Sequence, residues 1–507
     1  ESASLDEVVI VGFGQQKKET VTGAIASIRT KDVKQSPAAN LAVSLAGRLP
    51  GLTSLQRSGE PGNDVTDLYI RGRGTVNAQS PIVLVDGVER GLTYIDPNEV
   101  ESVTILKDVS ATAIFGVRGA NGVILVTTRR GTSEIPQINF TTELSAQDFP
   151  RFYNFVNAFD HATLRNLAQN NDGLGDAFSP EAVEKYRTGS DPVRYPNTDW
   201  TDILLKDYAL QQRYNLNVSG ASKRMKYFIN AGFLNQGGQF NTEKNLNYDP
   251  SFKLDRYNFR SNIDVDLNKN LRAFLNLAGY LERQNTPTHV QASVSGSPMD
   301  YILGAMTELI PTNPGPVTPE GEVLTHTGDL VPAYGLVNRL GYTQLSSTNV
   351  VASYGMEQKL DAITQGLSAK VMLSFDTRAV NRLVARREFE RWIQVIDPNL
   401  KGSDGQDSVY YQRFGSMENT PLSISGSRGY ITQSNVQGYL EYNRSFGKHD
   451  VSGLALYQQQ KIINNEDLPY NLIGFSSRVK YAYANRYFFE FNAGYNGSEQ
   501  FAPGRRF

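Results

Sequence analysis

Beyond Gly131, the sequence consists largely of segments in which apolar and polar residues alternate. Because successive side chains of a β-strand point to opposite faces of the sheet, each segment predicts a strand with one apolar and one polar face. The clearest example has Tyr257, Phe259, Ile263, Val265 and Leu267 on one face, and Asn258, Arg260, Asn262, Asp264 and Asp266 on the other. Any one such strand would also suit a soluble sandwich.

The lengths of the connections separate these two possibilities. Tight turns are predicted near residues 220–223, 268–270, 361–363, 447–449 and 485, and they alternate with long connections over about 147–209, 237–254, 284–348, 377–433 and 462–474. A sandwich has no reason to place all its long connections on one side, whereas outer-membrane barrels do so. The pattern predicts an antiparallel membrane β-barrel with about eleven strands in this chain.

Composition narrows the function classes further. The 507 residues have a formal net charge of -2 and contain no cysteine. A nucleic-acid partner is not expected, because there is no basic excess to neutralise phosphates. Disulfides, thiolate metal sites and cysteine nucleophiles are excluded. No apolar run is long enough to cross a bilayer as a helix, which excludes a helical membrane protein.

Residues 68–131 have a different, compact α+β pattern. Asp96 and Pro97 together make a helix start, a side-chain cap followed by a first turn with fixed φ. The stretch predicts strands over 68–71 and 82–86, a helix over 97–101, a strand over 103–106, a helix over 109–115 closed by Gly116, and a strand over 123–128. Upstream, a helix that begins after Ser36 and Pro37 presents Leu41, Leu45 and Leu49 on one face, which predicts a packed core.

Several short motifs in this region resemble the plug domain of SusC/RagA-type TonB-dependent outer-membrane transporters. In chain order they are Ile70-Arg71-Gly72, Val85-Asp86-Gly87, residues 95–102, Leu106-Lys107-Asp108 and residues 119–124. The resemblance implies an α+β plug inside an antiparallel barrel of 22 strands when complete. We therefore expect a leader over 1–14, a plug domain over 15–132 and the N-terminal part of the barrel over 133–507, with the rest of the barrel outside this chain.

The leader contains a short β-prone run that resembles the TonB box of this family, made of Asp6, Glu7, Val8, Val9, Ile10 and Val11. An extended segment of this kind can add its backbone as a strand to the sheet of a partner. The resemblance implies that TonB binds residues 5–12 from the periplasm. The alternative is that the run is simply the first strand of the plug.

Three plug arginines, Arg71, Arg73 and Arg118, are candidates for contacts between plug and barrel. A guanidinium enclosed by a wall needs acceptors or water, and in the family such arginines pair with barrel carboxylates. For Arg73, an ordinary position facing the periplasm explains the residue equally well.

The sequence contains no catalytic constellation and no metal-ligand spacing, so we expect no enzyme, metal or other cofactor. Acid pairs such as Asp264 and Asp266 leave a carboxylate-based hydrolase possible in principle. Tyr94, Trp200 and Trp392 are candidates for stacking on sugar rings, although aromatic side chains in a barrel more often pack.

Taken as a whole, the resemblance implies TonB-dependent active import of an oligosaccharide across the outer membrane of a gram-negative cell, with a SusD-like surface lipoprotein as partner. An oligopeptide is the alternative cargo. A passive porin or structural barrel is the alternative class of function. Outer-membrane lipid would surround either kind of barrel.

Overall fold

The structure is a computed structural model that describes residues 8–10, 15–17, 24–74, 80–92, 95–108, 112–149, 153–288, 297–326, 331–484, 486–502 and 504. In these residues, no helix combines the length and apolar character needed to cross a membrane.

The N-terminal part is a small mixed unit. Its strands are β1 (Val8–Ile10), β2 (Gln15–Lys17), β3 (Ile25–Arg29), β4 (Leu52–Gln56), β5 (Thr66–Ile70), β6 (Ile82–Val85), β7 (Val88–Glu89), β8 (Val100–Leu106) and β9 (Val123–Thr128). Its helices are α1 (Thr30–Val33), α2 (Leu41–Ser44) and two 3₁₀ segments, Pro97–Glu99 and Ala113–Asn121. Strands β3, β8, β9, β6 and β7 form one sheet. We call residues 24–131 the plug.

Most local predictions for the plug are confirmed. Strand β9 has the predicted bounds, and the backbone N–H of Asn98 donates to Asp96 Oδ1 at 2.7 Å, so Asp96 is the predicted cap. Leu41, Leu45 and Leu49 are buried in one core cluster. The Asp86-Gly87 pair forms the hairpin turn between β6 and β7 with φ values of 50° and 86°, and this conformation favours glycine.

Three helix boundaries in the plug were predicted wrongly. The segment after Asp96 is a single 3₁₀ turn, because pairing with β9 draws the chain into strand β8 from Val100 onward. The second segment passes through Gly116 and ends before Gly122, whose φ of 85° turns the chain into β9; its predicted start at 109–111 lies outside the described residues. Helix α2 is capped by Asn40 rather than by Ser36 and Pro37, and it ends at Ser44, so Leu45 and Leu49 reach the core from the turns that follow the helix and not from its face.

The rest of the chain builds a sheet of eleven strands, each antiparallel to its neighbours. We call this sheet the wall. Its strands are β10 (Gln137–Gln147), β11 (Ala209–Ala221), β12 (Met225–Gly237), β13 (Lys253–Asp266), β14 (Leu271–Pro287), β16 (Gly341–Lys359), β17 (Leu367–Arg386), β20 (Ser423–Phe446), β21 (His449–Asn464), β22 (Tyr470–Tyr483) and β23 (Tyr487–Ser498). The predicted number of strands is confirmed.

The wall buries its polar face and exposes its apolar face. On β13, Arg260 and Asn262 are 5% and 0% exposed, whereas Tyr257 and Phe259 are 53% and 41% exposed. A protein surrounded by water would do the opposite, because exposed apolar area costs free energy. This arrangement is that of a membrane β-barrel wall with its lipid-facing side outward.

Short turns and longer connections lie at opposite ends of the wall, as predicted, but three of the connections are shorter than predicted. They span 288–340, 387–422 and 465–469 instead of 284–348, 377–433 and 462–474, because the strands on either side extend further than their alternating patterns indicated. The first long connection has its predicted limits, since β10 ends at Gln147 and β11 begins at Ala209. We call the end with the long connections the loop side and the other end the turn side.

The long connections fold together into a layer of their own. They contain α3 (Ala158–Asn171), α4 (Pro180–Thr188), α5 (Trp200–Leu204), α6 (Pro298–Met306) and α7 (Ala333–Asn338), and a small sheet of β15 (Val323–Leu324), β18 (Arg391–Lys401) and β19 (Asp407–Arg413). Apolar residues from four connections share one core, including Trp200, Phe240, Met306, Leu336 and Phe389. We call this the loop layer.

Candidate functional site

The plug lies against the inward face of the wall and is held there by polar contacts along most of the sheet. Side chains of the wall donate hydrogen bonds to carbonyl oxygens of the plug: Gln211 on β11 to Pro37 at 2.6 Å, Arg256 on β13 to Ala39 at 3.1 Å, Gln284 on β14 to Pro61 at 2.8 Å, and Gln433 on β20 to Glu89 at 3.1 Å. Because strands from both halves of the sheet contact the same unit, the wall curves around the plug.

One ion pair joins the plug to the centre of the wall. Arg90 of the plug donates from Nη2 and Nε to the two carboxylate oxygens of Asp376 on β17, at 2.7 and 2.8 Å. Nη2 also donates to Ser353 Oγ on β16 at 2.9 Å. The two side chains are only 10% and 12% exposed. A two-point pair of this kind fixes direction as well as distance.

A second group of charges crosses the interface, and one of its pairs has the acid on the plug and the base on the wall. Glu99 of the plug accepts from Nε of Arg260 on β13 at 2.8 Å, with side chains 2% and 6% exposed. Arg130 of the plug donates to Asn276 Oδ1 on β14 at 3.0 Å and lies 3.6 Å from Asp264 on β13. The wall therefore supplies both the acid and the base of its contacts with the plug.

Asp264 and Asp266, the acid pair for which a hydrolase function was possible in principle, both take part in contacts with arginines. Asp264 faces Arg130 of the plug, and Asp266 accepts from Arg272 Nε at 2.7 Å. Each acid of the pair is thus engaged by its own arginine.

On the loop side, the plug and the loop layer enclose a cavity of about 620 Å³. Its walls come from the plug segment around Gln56 and Pro61, the ends of β10 and β12 at Gln147 and Gln236, and Leu303 of helix α6. Amide side chains such as these can both donate to and accept from a polar ligand. The volume is that of an ordinary small-ligand site.

A buried carboxylate of the plug connects this cavity to helix α6. Glu60 is 1% exposed and accepts from the backbone N–H of Met299 in the first turn of α6, at 3.3 Å, and from Gln284 Nε2 on β14, also at 3.3 Å. Burial is the largest influence on Glu60 and raises the pKa of its carboxyl to about 7, against the lowering effect of hydrogen bonds from Ser297 and Met299. Glu60 thus joins plug, wall and loop layer.

Comparisons with known proteins agree with this architecture. A model of the TonB-dependent receptor plug domain matches residues 17–123. TonB-dependent receptor P3 of Formosa agariphila is 28% identical over 99% of this chain and 48% of its own length, and TonB-dependent receptor SusC of Bacteroides thetaiotaomicron is 27% identical over 52% of this chain and 26% of its own. The structure of the RagAB peptide importer in its open-open state superposes with a TM-score of 0.72 at 21% identity, over 99% of this chain and 57% of that one.

These matches support the recognition of the chain as a SusC/RagA-type TonB-dependent receptor. It spans about half the length of the first of these relatives. The recognition from sequence motifs is confirmed, and so is the fold class, a plug enclosed by an antiparallel barrel wall.

The arginines that anchor this receptor's plug are not those singled out from the sequence. Arg71 pairs with Asp108 of the plug itself, and its side chain is 57% exposed. Arg118 pairs with Glu89 of the plug at 2.6 Å and also donates to Gln460 Oε1 on β21 of the wall, at 3.5 Å. Arg73 lies over the ring of Tyr69, also in the plug. Of the predicted members, Arg118 contacts the wall through Gln460, whereas the carboxylate partner of Arg71 lies in the plug. The ion pairs that join the plug to the wall involve Arg90 and Arg130, which were not predicted.

The described residues include only part of the predicted TonB box. Val8, Val9 and Ile10 form β1, which pairs antiparallel with β2. Asp6, Glu7 and Val11 lie outside the described residues, as does Tyr94, one of the ligand candidates. The binding of TonB to this segment stays a prediction.

The two tryptophans have different surroundings. Trp200 is 8% exposed in the core of the loop layer, and its Nε1 donates to the carbonyl oxygen of Ile310 at 3.0 Å, so it is not available to stack on a sugar and the expectation is corrected. Trp392 is half-buried on β18, and its indole N–H meets no acceptor among the described residues. A ligand contact by Trp392 stays a prediction.

Sequence reasoning missed Arg90, Glu99 and Glu60. Glu99 was inside one of the recognised motifs, residues 95–102, and a charged residue beside a predicted buried strand was an available signal. Arg90 and Glu60 gave no such signal, because their partners lie hundreds of residues away in the chain.

Proposed function

We propose that this receptor imports an oligosaccharide across the outer membrane of a gram-negative cell, using work delivered by TonB. In this proposal a SusD-like surface lipoprotein sits on the loop side and delivers the cargo. The cargo then rests in the cavity between the plug and the loop layer, and TonB binds the leader around residues 5–12 and pulls on the plug.

The observation that carries the proposal is the set of buried polar contacts between plug and wall. Removing one partner of a buried ion pair while the other stays buried costs about 3–5 kcal/mol, because a charge is left unpaired, and Arg90 with Asp376 and Glu99 with Arg260 are two such pairs. Several hydrogen bonds would have to break as well, at about 0.5–1.5 kcal/mol each. Thermal motion alone will rarely open a passage of this kind, so transport needs external work.

The polar character of these contacts also supports a reversible movement of the plug. Hydrogen bonds and ion pairs across a polar interface can be exchanged for water as the plug moves, whereas an apolar interface would expose area that water cannot satisfy. A plug held in this way can be displaced and can then return to its position against the wall.

Deletion of residues 1–12 tests the proposal. In cells that carry the full-length receptor, we expect uptake of a fluorescently labelled oligosaccharide to fall to the level of cells without the receptor. A passive porin would keep its uptake after the same deletion. A control deletion in the exposed turn after α3, removing Gly173 and Leu174, should leave uptake unchanged.

An oligopeptide cargo is the second candidate, and one observation favours it. The fold superposes on a protein whose structure is described as a peptide importer, although at 21% identity this likeness concerns the fold alone. Competition for uptake between labelled oligosaccharides and labelled peptides distinguishes the two cargos.

A further inference from the structure

A second cavity, of about 550 Å³, lies where the last residues of β17 meet the first residues of β20. These are the loop-side ends of the two strands, so the cavity lies along the path by which cargo would enter. It is separate from the cavity above Glu60, which is bounded by the plug and the first wall strands.

The side chains of this cavity project from the inward face of the wall. On β17, Arg382 and Arg386 have the same parity as Asp376, whose side chain contacts the plug, and the pairing of β17 runs without a register shift on both sides. Side chains two residues apart share a face. Arg382 and Arg386 therefore point into the barrel. They are four residues apart in the strand, which corresponds to about 14 Å at roughly 3.4 Å per residue.

The cross-strand neighbours of these arginines are uncharged. Across the pairing with β20, Arg382 faces Ser427, Val384 faces Ser425 and Arg386 faces Ser423. Across the pairing with β16, Arg382 faces Leu345 and Arg386 faces Gly341. This differs from the part of the wall that contacts the plug, where each arginine that contacts the plug has a carboxylate or carbonyl partner.

The cavity has more positive than negative charge. Three arginines line it, Arg382, Arg386 and Arg387, together with a single carboxylate, Glu388. Arg386 Nη2 pairs with Glu388 at 2.8 Å, and Arg387 Nη2 donates to Asn419 Oδ1 at 3.2 Å. For Arg382, the described residues provide neither a hydrogen-bond acceptor nor an ion-pair partner. A guanidinium without a partner among the described residues, in a cavity lined by hydroxyls, is able to bind an anion.

Guanidinium groups bind carboxylates and sulfates through two parallel hydrogen bonds. Serine hydroxyls can donate to or accept from the hydroxyls of a sugar. Val384 is the one apolar side chain among the lining residues, so the cavity offers little to the apolar side chains that a mixed peptide would bring.

We propose that this cavity binds the negatively charged groups of the cargo, so that the receptor imports an anionic oligosaccharide that carries carboxylate or sulfate groups. The inference rests on the proposed function, because it assigns a chemical class to the same cargo. Arg382 and Arg386 are the specificity-determining residues, and the serines of β20 bind the adjacent hydroxyls.

The test measures binding to the purified full-length receptor by titration calorimetry, with a short oligogalacturonate as the anionic probe and a galactan oligomer of equal length as the neutral probe. The double variant Arg382→Gln with Arg386→Gln should bind the oligogalacturonate at least about ten-fold more weakly, since hydrogen bonds to charged groups contribute roughly 1.5–3 kcal/mol each. Its affinity for the neutral probe should not change.

Arg428→Gln is the matched control. Arg428 is exposed on β20, but its parity places it on the outward face, so its replacement removes one positive charge near the same end of the wall without touching the cavity. Equal affinity of the double variant and the unmodified receptor for oligogalacturonate would overturn the inference, and so would an equal loss in Arg428→Gln. Binding of oligoglutamate in place of oligogalacturonate would overturn the assignment to a saccharide.

These outcomes are independent of the import mechanism. The binding measurement uses no TonB, so it can fail while deletion of residues 1–12 still abolishes uptake, and it can succeed while that deletion has no effect. A thermal unfolding curve for each variant confirms that it is folded before binding is compared.

Discussion

At the scale of single residues, the decisive feature is which charges meet across the interface between plug and wall. Arg71 and Arg90 are both plug arginines with a carboxylate partner, but the partner of Arg71 is another plug residue in an exposed pair, whereas that of Arg90 lies on the wall and is buried. Buried pairs are costly to break on one side, and exposed pairs contribute little. The anchoring role therefore follows burial and location, not the presence of a pair.

We predict that Arg90→Gln or Asp376→Asn each destabilises the plug in its seat by about 3–5 kcal/mol, because either change leaves one buried charge unpaired. The double variant should be less destabilised than the sum of the two. Thermal unfolding of the purified receptor measures the stability, and ion conductance in planar bilayers reports a loosened plug. Arg71→Gln is the control and should change the stability by less than about 1 kcal/mol; an equal effect of Arg71→Gln and Arg90→Gln would contradict the assignment.

Glu60 gives a prediction about pH. Its folded-state pKa is raised to about 7 from a usual value of 4.5, so the folded protein holds the proton more tightly than the unfolded chain. Its contribution to stability is fully present below about pH 4.5 and is lost as the pH rises through 7. We expect the fold around Glu60 and α6 to lose stability between pH 5 and pH 8, because the ionised carboxyl is costly to keep buried. Limited proteolysis of the loop layer at the two pH values measures this loss.

Glu60→Gln should remove that pH dependence, since glutamine keeps the size of the side chain and does not titrate. Glu101→Gln, at an exposed position of β8, is the control and should keep the dependence. A Glu60→Gln receptor with unchanged pH dependence would show that another group is responsible.

At the scale of elements, the loop layer shows how long connections become a folded surface. Helix α5 is capped by Asp199, whose side chain accepts from the backbone N–H groups of Thr201 and Asp202 at 3.0 and 3.1 Å. This cap directs Trp200 into the shared core. The ring of Trp200 lies so close to Gly315 that a Cβ at that glycine would be 2.1 Å from it. One connection thus fixes the position of another.

We predict that Trp200→Ala destabilises the loop layer by about 3–5 kcal/mol, because it removes a large buried ring and leaves a cavity. Hydrogen exchange of the amides in α5 and α6 measures the loss, which should leave the wall strands unaffected. Leu174→Ala, at a position that is 72% exposed, should have no measurable effect. Unchanged exchange in Trp200→Ala would show that the loop layer does not depend on this core.

At the scale of the whole molecule, the inversion of polarity in the wall decides its environment. Polar side chains of β13 are buried against the plug while aromatic ones face outward, and the same pattern recurs on β23, where Phe489 and Phe491 are 63% and 56% exposed. A continuous apolar outer face is stable only in lipid, and a continuous polar inner face only against a polar plug or water.

We predict that Phe491→Arg reduces assembly into the membrane, at a cost of about 2–4 kcal/mol for an arginine near the bilayer centre. The receptor recovered from the outer-membrane fraction and its shift on heating in a denaturing gel measure the effect. Phe491→Leu keeps the outward side chain apolar and should assemble normally. Normal assembly of Phe491→Arg would place this part of β23 outside the lipid.

The sequence by itself determined the strands, the turns, the side on which the long connections lie and the family of the plug. These properties depend on residues close together in the chain, such as the alternation along β13, the Asp86-Gly87 turn or the cap at Asp96, so local physics is sufficient to predict them. Only the tertiary structure decided that Arg90 meets Asp376, that Glu60 holds helix α6, that Trp200 is core and that Arg382 faces the lumen beside serines. Those pairings join residues that are far apart in the chain, and they depend on the register and curvature of a wall whose every strand must be in place before the two side chains meet.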